Sequence, residues 1–265
     1  MTAAIRHETV FDPVELDLLA THAGVPFPFP IRVPSSGRFT DERDALLADA
    51  GHALRARGLA TATGPVGVTA ELVTALREHR GAVDLVVIGT TEVTGAVAMV
   101  HEDRAVVCRQ SLHPEHGGDV AVTAVPATEL ADRFALLIPA ARAAATLPIT
   151  LPPGVVEGAL RILGDPGCEP VTRGHVRELV RACGGDEAVV DRLVDLLPGV
   201  SGRGRLGVVR RTGGPATRPP EVSWLDSARG RVRVDRDDRG WTSVNPLRHD
   251  RLLRLLGETA AVARA

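Results

Sequence analysis

Apolar residues recur along this chain in two rhythms that alternate in blocks. A helical spacing comes first: Val14, Leu18 and Leu19 share one side of a segment opened by Asp12 and Pro13 and stopped by Gly24. A second helix is predicted from a Thr40 cap, with a stripe of Leu46, Leu47, Ala50 and Leu54 and an end at Gly58. Thr69 begins a third, carrying Leu72, Val73 and Leu76. The rhythm then changes. Four strand-like runs follow at 84–89, 94–100, 104–110 and 119–125, separated by short turns as in an antiparallel meander. Pro126 starts a further helix with Leu130, Phe134, Leu137 and Ile138.

After an alanine-rich connector at 140–154 the same order returns. Helical patterns at 155–164, 172–183 and 186–197 precede strand candidates at 205–211, 221–227, 231–236 and 241–245. Asn245 and Pro246 then cap a last helix containing Leu252, Leu253, Leu255 and Leu256. Helices, four strands and a helix, given twice, predict one domain over 1–265 built of two similar halves, about 10–139 and 155–265. Runs of strands followed by helices favour an α+β fold over a parallel βαβ sheet. The expected architecture is a central antiparallel sheet flanked by helices, with the halves related by a quasi-two-fold.

Composition narrows the function classes. Apolar residues make up 44% of the 265, enough for a sizeable core. A net charge of −2 argues against generic adhesion to nucleic acid or membrane surfaces. Lysine is absent and arginine is concentrated between Arg203 and Arg254. Three scattered cysteines (Cys108, Cys168, Cys183) form no disulfide framework and suggest a reducing compartment. With acids inside the N-terminal segment and no run of 18 apolar residues, neither a signal peptide nor a membrane span is expected, and the location expected is cytoplasmic.

The search for chemistry finds little. The stretch GRGRLG matches G-x-G-x-x-G at Gly202, Gly204 and Gly207, but a helix precedes it and a strand follows, the reverse of a dinucleotide fingerprint. A glycine-rich turn into a strand is the simpler reading. His113, Glu115, His116 and Asp119 have metal-ligand chemistry, yet they occupy a polar turn with no helix to align them, so a solvated hairpin turn is the simpler reading there too. Ser201 lacks a nucleophile elbow, Cys108 reads as packed within a strand, and His101 reads as a turn residue. No nucleophile, base and orienter can be assembled, so no enzymatic activity, cofactor or metal is expected. Arg231 and Arg233 alternate with valines on one strand face; interrupting acids make a solvated sheet face a better reading than a phosphate track.

Protein recognition remains. TGAVAMV is apolar on both faces, so it is either a covered central strand or a partner surface. Trp224 and Trp241, the only tryptophans, are either core plugs or partner anchors. In GVPFPFPIRVP (24–34), two of the five phenylalanines, Phe27 and Phe29, sit between prolines. Proline excludes helix and central strand. The stretch is read as a strap, a strand entering the sheet edge with both rings pinned to the helices; a polyproline ligand motif is the alternative.

These segments together resemble the EspG family, cytosolic chaperones of ESX (type VII) secretion. VFDPVELDLLATHAGVPFPFPIRV resembles the family's opening helix and proline–aromatic strand, and ERDALLADAGHALRARGL its next helix. GRGRLGVVRR with PPEVSWLDSARGRVRVDR resembles its glycine-rich entry, strand and hairpin, and GWTSVNPLRHDRLLRLL its closing strand and helix. The likeness runs from about Val10 to Leu256, while the hairpin GTTEVTG is shorter than is common in the family. The resemblance implies a non-enzymatic chaperone, a monomer or weak homodimer. It would bind the apolar tip of a PE–PPE heterodimer, keep it soluble and direct it to the secretion system. Carried onto this chain, the partner-binding residues implied are Val97, Met99, Leu206, Val208, Trp224, Leu252, Leu255 and Leu256. The competing reading is a basic-faced nucleic-acid-binding or regulatory module.

Overall fold

The computed structural model describes residues 8–113, 118–146, 148–158, 173–186, 199–211 and 219–265, with Val189, Arg192 and Leu196. The chain opens with β1 (Thr9–Phe11) and α1 (Pro13–Ala23). Asp12 caps α1 through a reciprocal box, accepting from the Glu15 amide at 2.9 Å while Glu15 accepts from the Asp12 amide at 3.1 Å. Gly24, at φ 72°, ends it. Then come α2 (Thr40–Ala56), a small hairpin of β2 (Ala60–Thr61) and β3 (Gly64–Pro65), and α3 (Val68–Glu78). Thr40 is the first helical residue of α2 rather than its cap. The position before it is Phe39, and Glu42 accepts instead from the Arg38 amide.

The predicted strand blocks are present: β4 (Gly81–Ile88), β5 (Val93–His101), β6 (Arg104–Ser111) and β7 (Val120–Pro126). A 3₁₀ turn leads from Pro126 into α4 (Leu130–Ala135). The connector contains β8 (Ile149–Leu151), and beyond it come a helical turn at 155–158 and α5 (Arg173–Ala182). The rest of the helices expected at 155–164 and 186–197 lies largely outside the described residues. The second block is β9 (Val200–Arg210), β10 (Val222–Ser227), β11 (Gly230–Arg236) and β12 (Thr242–Pro246). Pro246 ends β12, and α6 (His249–Arg264) starts after Arg248 instead of at Asn245.

All ten long-range strands join one antiparallel sheet, in the order β1-β7-β6-β5-β4-β9-β10-β11-β12-β8. Read outward from the β4–β9 seam, each direction gives a four-strand meander in chain order and then a three-residue strand from an earlier segment. The seam is in full register, with Leu85 opposite Leu206 and Val83 opposite Val208. At one outer edge the Val10 carbonyl accepts from Arg57 Nη2 at 2.6 Å, which occupies an edge group that could otherwise recruit another strand.

Side-chain alternation divides the core by face. On one face Val83, Leu85, Ala96, Ala98, Leu206, Val208 and Trp224 pack beneath α4 and α6, which meet across the seam through Leu130, Phe134, Leu252 and Leu256. On the other face α1 and α3 cover Val97, Met99, Val106 and Cys108 in the first half. Farther along that face, Val155, Val176 and Val180 cover Leu225, Val232 and Val244 in the second half. The β5 run is therefore a central strand covered on both sides. Between the two helical covers, the middle of the sheet stays partly bare.

Candidate binding groove at the sheet seam

The bare strip follows from cross-strand registry. On the face away from α6, Ile88 of β4, Arg203 of β9 and Leu225 of β10 form one row. The next row is Val86, Arg205, Ser223 and Val234. With Phe29 from the proline ribbon and Val156 from the second helical cover, they line a cavity of about 330 Å³. Val86, Ile88, Val156 and Val234 are half-buried and Phe29 is 50% exposed, so apolar surface is accessible here.

The third row explains how Arg205 is held. Asp84 and Gly207 lie side by side, with Glu221 just before the start of β10, and Gly207 leaves the space over its strand empty. A Cβ at Gly207 would stand 2.7 Å from an Asp84 carboxylate oxygen. Arg205 leans into that space, with Nη2 3.6 Å from Asp84 and in contact with Glu221. Its guanidinium also stacks under the Phe29 ring at 4.9 Å.

The proline ribbon is thus a strap, but not of the expected kind. It forms no strand, and the sheet edge belongs to β1. Instead it crosses the strands along a single row. Arg32 exchanges two backbone hydrogen bonds with the buried Gln110 side chain on β6, at 2.7 and 2.9 Å. Pro30 lies over Gly95 of β5, and Phe29 reaches Arg205 of β9 in the other half. Only Phe27 packs with the helices. Prolines suit this path because a ribbon lying on a sheet face has few acceptors for its own N–H groups, and proline has none to satisfy.

The structure places all eight partner-binding candidates in the interior. Val97, Met99 and Leu252 are 0% exposed, and Leu206, Val208, Trp224, Leu255 and Leu256 are 8% exposed or less. The physical reason is the two-sided cover: strand residues apolar on both faces and the apolar stripe of α6 meet each other instead of solvent. Trp224 alone borders the groove, filling the room left by Gly204 opposite it; its indole N–H is buried without an acceptor among the described residues. Trp241, by contrast, is partly exposed. The groove residues Val86, Ile88 and Val234 escaped notice because the pattern marks alternation but cannot show where a helical cover stops.

The remaining candidates for chemistry resolve as structural groups. Gly202, Gly204 and Gly207 lie within β9, away from any helix N-terminus. Cys108 is fully buried, and burial pushes its thiol up to about 12, far from a reactive thiolate. His101 pairs with Glu78 at 2.9 Å, and Ser201 is aimed at the Asp226 carbonyl. His113 is described, whereas Glu115, His116 and Cys168 lie outside the described residues. Among the described residues no three metal-ligating side chains cluster. Three arginines on β11 are held by acids: Arg231 is buried against Asp226 at 2.6 Å, Arg233 pairs with Asp235 at 2.6 Å, and Arg236 with Glu157 at 2.7 Å. These acids interrupt the row of charge on β11, which does not favour the nucleic-acid reading. No described helix is long and apolar enough to cross a membrane.

Comparison with known proteins bears on this arrangement. No curated protein sequence matches the chain. Among solved structures it is similar to the Mycobacterium tuberculosis type VII secretion system chaperone EspG5, solved in complex with a PE25–PPE41 dimer. The TM-score is 0.62 at 12% identity, over 97% of this chain and 96% of that one, a likeness of fold. HtdX from the same organism aligns over 91% of this chain and 98% of its own at 11% identity, but its TM-score of 0.15 carries no argument. The family description EspG matches residues 12–258, from the Asp12 cap through both meanders and into α6, and the chain therefore belongs to the EspG family.

Proposed function

We propose that this protein is a non-enzymatic type VII secretion chaperone. It docks the apolar tip of a PE–PPE-type heterodimer in the central groove, keeps it soluble in the cytosol and delivers it to the secretion machinery. The observation that carries the reading is the groove itself, an apolar strip left between two helical covers on an otherwise buried sheet. Family membership supports it, as does the partner dimer held by EspG5. A single domain of two related halves suits the role, because a tip in the seam touches both. The eight buried apolar residues then serve as the backing that keeps the groove's strands in register, and the chain acts as a monomer or weak homodimer.

Few contacts are needed. Burying each large apolar side chain of a partner contributes roughly 1.5–3 kcal/mol, so a small number of anchors in the groove supply the affinity. The test is co-expression with a PE–PPE-type pair, such as the PE25–PPE41 dimer held by EspG5, followed by size-exclusion chromatography at moderate and high salt. The pair should be insoluble alone and co-elute with this protein at both salts, since apolar burial is not screened. Ile88→Asp, a half-buried site on the groove floor, should leave the fold intact and abolish co-elution. A pair that is soluble alone and ignores the wild-type protein would end the chaperone reading.

A further inference from the structure

The two groove arginines are two residues apart on one strand and on one face, yet their surroundings differ. Arg205 is neutralised by Asp84 and Glu221 and covered by Phe29. Arg203 is exposed, and among the described residues it has neither an acid nor a hydrogen-bond partner. Its cross-strand neighbours are Ile88 on one side and Leu225 on the other. The nearest carboxylate along β10, Asp226, belongs to the opposite face and is taken by Arg231.

We propose that Arg203 reads the charge of whatever occupies the groove: the docked tip carries a carboxylate beside its apolar side chains, and Arg203 pairs with it. The inference rests on the docking role proposed above and specifies its partner chemistry. An occupant that covers Ile88 and Leu225 also takes the guanidinium between them out of water. A desolvated cation without a counter-charge is costly, so a purely apolar tip would be penalised at this point. A carboxylate removes the penalty, and the planar guanidinium fork matches it with two parallel hydrogen bonds. Arg205 has no such capacity, because its charge is already used. It acts as a positioning residue that holds Phe29 at the groove wall.

The test compares wild type, Arg203→Gln, Arg203→Glu and the groove control Ile88→Asp, each as the full chain, against the same PE–PPE-type pair. Affinity is measured at about 50 mM and about 500 mM salt, a tenfold step in ionic strength that shortens the screening length roughly threefold. Arg203→Glu should weaken the complex by roughly tenfold or more at low salt, Arg203→Gln by less, and the gap should shrink at high salt. Replacing one acid of the partner's tip by arginine should restore binding to Arg203→Glu but not to wild type. Unchanged urea midpoints are expected for both Arg203 variants, since the side chain is exposed and has neither an acid nor a hydrogen-bond partner among the described residues. If Ile88→Asp abolishes binding while Arg203→Glu binds like wild type, the charge reading is overturned and the docking role survives. If the wild-type chain fails to bind the pair at all, the docking role fails and this inference falls with it.

Discussion

His79 closes α3 with its ring buried and Nδ1 2.8 Å from the Ala75 carbonyl oxygen. Burial depresses its pKa, the Arg211 charge adds to the depression, and the Ala75 carbonyl opposes it only in part. The imidazole is therefore neutral when folded and titrates near its ordinary value of about 6.5 when unfolded. Its stabilising contribution is fully present above that value and is lost as pH falls through it toward the folded pKa. Wild type should lose urea stability between pH 7 and 5 more steeply than His79→Gln; parallel pH profiles would rule the assignment out. Asp17 acts in a lower window. Burial pushes its carboxyl up, but the Arg43 and Ser36 hydrogen bonds outweigh this and lower it, so its share is lost only below the ordinary carboxylate range. At this scale the sequence was legible where one residue suffices, as in the Asp12 cap and the packed Cys108. It was silent on Arg203 and Arg205, whose difference depends on neighbours supplied by other strands.

The elements show where periodicity informs and where it stops. Eight strands were legible because alternating runs of five or more residues set a clear period. The strands β1 and β8 were not, since three residues define no rhythm and their pairing comes from the sheet edges. The glycine motif on β9 illustrates the same divide. In sequence Gly204 reads as part of a glycine-rich turn into a strand, but it lies within β9 and its role is steric: a Cβ there would lie 1.9 Å from Cζ2 of Trp224, a residue that is 1% exposed. Gly204→Ala should therefore destabilise the protein by about 1–3 kcal/mol or more through overpacking, seen as a lower urea midpoint with an unchanged m-value. A midpoint equal to wild type would mean that the tryptophan can move aside and does not hold β9 to β10. The proline ribbon is the clearest departure. Its composition identified a strap, while its path across a row of strands could be set only by Gln110, Gly95 and Arg205 being in register.

For the whole molecule, the decisive feature is that the two strand blocks, β4–β7 and β9–β12, share one sheet. The seam strands β4 and β9 lie at the centre of the sheet, and α4 and α6 pack over them in one cluster. Separating the halves would expose that cluster, so unfolding should be cooperative. Both tryptophans lie in the second half, so their fluorescence reports on that half, while far-UV circular dichroism reports on both. The two urea curves are expected to coincide; a second, separate transition by circular dichroism would show that the halves fold independently.

By itself the sequence determined what short-range physics encodes: the alternation of helical and strand periods, the order in which they follow one another, and the apolar positions along each element. It also carried enough of the family's segments, in order, to mark the kinship. Which apolar residues remain open to a partner was decided by tertiary structure alone. Exposure at Ile88 and Val86, and burial at Met99 and Trp224, depend on where helices from distant segments end over the sheet. Whether an arginine is spent or free likewise depends on which carboxylates neighbouring strands bring beside it. Those are long-range relations between segments, and no local period records them.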